Sequence, residues 1–213
     1  MSTSVSANKT SVLPPMEAAT YLARCTEVID LGDQVDSYEG KEKIAPKILL
    51  IFEFPTECAE INGELKPRWM TQIFTKSTHE KSKLRAVLKA WRGKDFTPDE
   101  LELFELANVL NAPCAISISH AERNGNIYGN ISSIGAMVKG TPPPQDVVRK
   151  YHFDIDDPET WACFTDLPEW IQAKINASET LKTRGIQINK QGEAVDVATK
   201  PTVDIEDEED LPF

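Results

Sequence analysis

The sequence predicts a mainly β domain: a five-stranded barrel with helices between its third and fourth strands, then a short C-terminal helix and a disordered acidic tail. Three observations carry this expectation. Strand-type apolar patterns recur between residues 19 and 140, separated by Gly, Pro and Asn signals. The period switches to that of an amphipathic helix after the third of them. Beyond residue 178 large apolar side chains become rare, and such a segment cannot bury enough surface to offset its ordering entropy.

Tyr21 to Leu31 alternates in part, with Leu22, Cys25, Val28 and Ile29, and reads as a first strand; the polar stretch Gly32 to Pro46 reads as a loop. Lys47 to Phe54 is rich in Ile, Leu and Phe, a largely buried second strand that stops at Pro55. Asn62-Gly63 marks a turn. Arg68 to Thr75 is a third strand, with Trp69, Thr71 and Ile73 on one side and Arg68, Met70, Gln72 and Phe74 on the other. Leu84, Val87, Leu88 and Trp91 then recur at helical spacing and Gly93 ends the helix, whose opposite side carries Lys81, Lys83, Arg85, Lys89 and Arg92. Thr97-Pro98-Asp99-Glu100 combines a cap, a first-turn proline and a capping box, which starts a second helix. Pro113 to His120 is a fourth strand and Ile127 to Met137 a fifth, joined by Asn124-Gly125, the strongest short hairpin signal. This order is the connectivity of an OB-fold. After Thr141-Pro142-Pro143-Pro144, Asp166-Leu167-Pro168-Glu169 opens a last helix with Trp170, Ile171 and Ile175 on its apolar side, packing back with Trp161 and Phe164. The domain reading is 1–18 flexible, 19–178 the folded domain with its C-terminal helical extension, and 179–213 a disordered linker with an acidic tip.

Bulk composition excludes classes rather than choosing one. The longest apolar run, Ile48 to Phe52, is far below the roughly 20 residues that span a bilayer. Met1 to Pro15 lacks the apolar core of a secretory signal, so the expectation is a protein kept in the cytoplasm. The four cysteines lie far apart with no histidine near them in sequence, which predicts no metal site, and nothing points to a cofactor.

The net charge of -11 argues against a nucleic-acid partner until its distribution is read. Residues 204–213 hold six acids and no base, which leaves 28 acids against 23 bases in the remainder. Lys66 to Lys94 carries nine bases against a single acid, Glu80. A solvated helix face mixes both signs, so this run predicts a polyanion site.

Two constellations carry the functional reading. The first is the basic run with aromatic rings among the charges: Lys66, Arg68, Trp69, Phe74 and Lys76, followed by Lys81, Lys83, Arg85 and Lys89. A single strand of DNA offers phosphates and open base faces, so its binding surface needs cations along a track and flat rings for stacking. On an OB-fold the strand crosses strands two and three between two loops, which adds Lys41 and Lys43 at one and Arg123 and Tyr128 at the other. The second is the terminal Asp207-Glu208-Glu209-Asp210-Leu211-Pro212-Phe213, where acids can meet a basic rim on a partner while Leu211 and Phe213 enter an apolar pocket.

The stretches Lys81-Ser82-Lys83-Leu84-Arg85, Trp91-Arg92-Gly93-Lys94-Asp95-Phe96-Thr97, Leu110-Asn111-Ala112-Pro113-Cys114, Gly140 and Leu167-Pro168-Glu169-Trp170-Ile171 resemble phage-encoded single-stranded DNA-binding proteins over roughly residues 20–178. The acidic ending with its final Pro-Phe resembles the tail of bacterial single-stranded DNA-binding proteins. The resemblance implies an OB-fold that holds unpaired DNA without reading its sequence during replication, recombination or repair, and a tail that recruits other DNA-processing proteins. No catalytic residue is implied. A nuclease is disfavoured because the acids cluster in the tail and in turns such as Asp154, Asp156 and Asp157, with no Lys or His at a recurring catalytic spacing. The alternative is an adaptor of the replication machinery that binds proteins and not DNA.

Overall fold

The computed structural model describes residues 13–38, 40–61, 63–147 and 149–197. Five strands, β1 (Thr20–Tyr38), β2 (Lys41–Ile61), β3 (Glu64–Thr75), β4 (Pro113–Arg123) and β5 (Asn126–Gly135), form an antiparallel path in the order β3-β2-β1-β4-β5. A short β6 (Tyr151–Phe153) pairs in parallel with β1 at Glu27 to Ile29, beyond the stretch that β4 covers. The sheet is open: among the described residues no ladder joins the edge strands β3 and β5. Helix α1 (Lys83–Arg92), between β3 and β4, packs against both edges. The chain is therefore mainly β with helices between its third and fourth strands, as its patterning predicts.

The continuous apolar run of β2 has a physical cause. β1 and β2 are buried on both faces, so their side chains alternate between two cores. One core holds Cys25, Val28, Ile48, Leu50, Phe52 and Phe54 with Phe74, Leu84, Leu88 and Trp91. The other holds Ile29, Leu31, Leu49 and Ile51 with Phe153, Trp161, Phe164, Ile171, Ile175 and Leu181. A layer built from the C-terminal third thus covers the outer face of the two central strands.

Local signals decide the element ends. Ser82 caps α1 by accepting from the Arg85 amide, and Gly93 ends it at φ 75°. The Thr97 and Glu100 capping box is formed on α2 (Pro98–Glu102). Asn124 and Gly125 both have positive φ, 52° and 74°, as the tight hairpin between β4 and β5 requires.

Five expectations need correction. The polar stretch after Leu31 is no loop: β1 and β2 stay paired from Gly32↔Lys47 to Tyr38↔Lys41 as a projecting ribbon. Its side chains are mostly solvated, so it has no apolar period to betray it. Pro55 does not end β2, because it sits in the register shift between Phe54 and Cys58, where no ladder bond is needed from it. Trp170 is not on the buried side of α3 (Glu169–Asn176); Ile171 and Ile175 are buried while Trp170 is 43% exposed. Order also continues past residue 178, through α4 (Glu179–Arg184), β7 (Ile186–Ile188) and β8 (Ala194–Asp196). Two apolar side chains, Leu181 and Ile188, anchor that polar stretch in the second core. At the other end, Met16 is buried in the first core and its carbonyl contacts His120 Nε2 at 2.8 Å, so the chain is placed before residue 19 as well. Among the described residues no helix is long and apolar enough to cross a membrane.

Candidate nucleic-acid interface

Strand register decides which predicted residues share a surface. In β3, Met70 and Phe74 face the first core across from Phe52 and Ile48, while Trp69, Thr71 and Ile73 lie across from Glu53, Ile51 and Leu49 on the outer face. Phe74 is 3% exposed and serves as core, so it offers no face to a base. Arg68 and Trp69 are neighbours in sequence and therefore point to opposite faces. Arg68 donates to the carbonyl of Pro14, whereas Trp69 is 49% exposed. Continuing the register through Arg24↔Glu53, Arg24↔Pro113 and Ala121↔Tyr128 puts the half-exposed Tyr128, and Arg123 with it, on the same outer face as Trp69. The C-terminal layer covers the middle of that face and leaves the outer row of β3 part-exposed, with Trp69 and Ile73 open to solvent and Thr71 partly buried.

The basic run is largely matched by acids lying just outside it. Lys66 pairs with Glu64 at 2.7 Å, Lys76 with Asp30, Arg85 and Lys89 with Asp95 at 3.5 and 2.8 Å, and Arg92 and Lys94 with Glu100. The Arg92 guanidinium and the Thr97 amide hold the Glu100 carboxyl down at about 2. Lys89 likewise lowers Asp95. Counting between residues 66 and 94 misses Glu64, Asp95 and Glu100 because they lie just beyond its ends, and Asp30 because only the fold brings it to Lys76. Exposed pairs of this kind are screened by solvent and stabilise little, so a phosphate can displace them, but the surface is much closer to neutral than the run suggests.

Lys76 is the most committed of the predicted cations. Burial disfavours its charge, yet the buried Asp30 carboxylate outweighs this and raises its pKa. Asp30 in turn is pushed up by burial, opposed by Lys76 and by the Gly32 amide that donates to it at 2.8 Å. Asp154 and Asp156 close the group: with Asp30 their carboxylates lie within 4.8 Å of one another, an arrangement capable of holding a cation that their separation in sequence hid. Lys76 and Arg184, paired to Asp30 and Asp156, supply positive charge there.

Among the described residues, Lys41, Lys43, Lys81, Lys83 and Arg123 make no ion pair. Lys41 and Lys43 are on the projecting β1–β2 ribbon. Lys81 and Lys83 stand at the start of α1, whose first turn has no acid. Cations there oppose the helix dipole and cost stability, so the fold gains nothing from them. From Lys66 to Thr75 β3 extends about 30 Å at roughly 3.3 Å per residue, and the chain then passes directly to Lys81.

Two clefts were also missed by sequence reasoning. Where the C-terminal layer ends, a cleft of about 220 Å³ opens beside Trp69, lined by Glu27, Glu53, Lys66, Arg149 and Pro168. A larger one, about 570 Å³, lies near Lys76, His79 and His152 on the other side of β1. The predicted partner-binding residues Asp207 to Phe213 lie outside the described residues. The chain matches none of the protein-family models and none of the curated proteins with which it was compared.

Proposed function

We propose that this chain binds unpaired DNA without sequence specificity, of the kind needed in replication, recombination or repair, and that its acidic C-terminal tip recruits partner proteins. One observation carries the reading: the basic segment holds the half-exposed ring of Trp69 on β3 and, at the start of α1, Lys81 and Lys83, cations that make no ion pair among the described residues and oppose the dipole of the helix they begin. A flat ring together with uncommitted cations suits a ligand with open bases and a phosphate backbone. The strand order β3-β2-β1-β4-β5, with α1 after β3 and lying against both open edges, supports an OB-fold opened between its third and fifth strands. That is the fold expected from the resemblance to phage single-stranded DNA-binding proteins.

The matched charges of Lys66, Lys76, Arg85 and Lys89 favour a second reading, an adaptor that binds proteins and not DNA. Fluorescence anisotropy with a labelled unpaired oligonucleotide, an excess of unlabelled duplex and a series of salt concentrations decides between them. Binding that survives the duplex and weakens with salt supports DNA binding. Absence of any shift leaves the adaptor.

A further inference from the structure

The cleft beside Trp69 holds a buried polar atom with nothing to bond to. Glu27 projects from β1 with its side chain 5% exposed, and Arg149 Nε occupies its Oε1 at 2.9 Å. Its Oε2 is buried without a hydrogen-bond partner. Arg149 is itself held in place: it donates to the Asp166 carbonyl at 2.8 Å and lies 4.8 Å over the Tyr151 ring. It therefore has little freedom to swing round and serve both oxygens. A second carboxylate, Glu53, lines the same cleft, and burial raises the pKa of both acids. A buried carboxylate oxygen left unpaired is costly, so the cleft calls for a hydrogen-bond donor. Trp69 at its rim calls for a flat ring.

These demands converge on one ligand class. We propose that the cleft is a subsite for a single unpaired base bearing an exocyclic amino group, stacked on Trp69 and donating to Glu27 Oε2; the proposal rests on the DNA-binding reading above. Adenine, cytosine and guanine carry such an amine. Thymine and uracil offer only a ring N–H between two carbonyl oxygens, which would be turned toward Glu27 and Glu53. The protein then carries a base preference at one position of a site that otherwise ignores sequence.

The test compares cytosine and uracil homopolymers of equal length, two pyrimidines of the same size that differ in this amine, by anisotropy on the intact chain at one slightly alkaline pH and one salt concentration. Cytosine is expected to bind about tenfold tighter, the order of one hydrogen bond to a charged acceptor. In Glu27→Gln the amide oxygen still accepts from Arg149 while its NH2 replaces Oε2, so the preference should fall to about one or invert, with uracil affinity kept. Equal affinities in the unaltered protein overturn this proposal and leave the DNA-binding reading standing, and so does a preference that survives Glu27→Gln. No binding to either homopolymer overturns both. The comparison in the unaltered protein needs no substitution, so misfolding of the variant cannot hide a negative result.

Discussion

Replacing Lys81 and Lys83 together by Gln separates the cations that are free from those the fold has already matched. Each phosphate contacted on an unpaired strand contributes about 0.7 to the log-log salt slope. Between roughly 1 M and 0.1 M salt one lost contact therefore costs about fivefold in affinity, and two cost about 25-fold, with the slope shallower by about 1.4. Lys89→Gln is the matched control. Lys89 already bonds Asp95 at 2.8 Å, and Arg85 remains as a neighbour of that carboxylate, so a much smaller change in slope is expected. Thermal stability should not fall in the double variant, because the two bases oppose the dipole at the start of α1. Oligonucleotide affinity measured by anisotropy across a salt series checks both variants. If Lys89→Gln flattens the slope as much as the double variant does, the division into matched and free cations is refuted.

Four further outcomes follow from the geometry. Leu181→Ala removes a fully buried side chain from a segment that composition would leave disordered; a loss of about 3 kcal/mol is expected, roughly 6–12 °C in Tm, and an unchanged melting curve would show that α4 does not pack as described. Glu100, held at about 2 against an ordinary 4.5, contributes stability that is present above the ordinary value and lost as pH falls through it toward 2. Glu100→Gln should therefore flatten the acid limb of a Tm-against-pH curve, and an unaltered limb counts against the Arg92 pair. Cys58 is exposed, whereas burial pushes the Cys114 thiol up to about 12 and Cys25 well above its usual range. A thiol reagent should label Cys58 first in the native protein and all four cysteines only after denaturation; rapid native labelling of Cys25 or Cys114 contradicts the packing. Trp69→Ala should weaken oligonucleotide binding about 5- to 150-fold with little change in Tm, since the ring is half exposed, and unchanged affinity removes the stacking role.

Elements whose cause is local were legible from the residues alone. The stripe of Leu84, Leu88 and Trp91, the Gly93 stop, the Thr97 cap and the Asn124-Gly125 hairpin depend on neighbours within a few positions, and these are present in any reading of the chain. What depended on distant partners was not. Gly32, where the ribbon leaves the sheet, takes φ +67° and an added Cβ there would meet Ile155 and Thr180, residues far along the chain. The burial of Phe74, the exposure of Trp69, the acid that matches Lys76, and the unpartnered oxygen of Glu27 were likewise decided by the tertiary structure. The physical reason is range. Periodicity and capping act along the chain, whereas burial and ion pairing are set by whatever the fold brings alongside, and no count over a sequence window contains that partner.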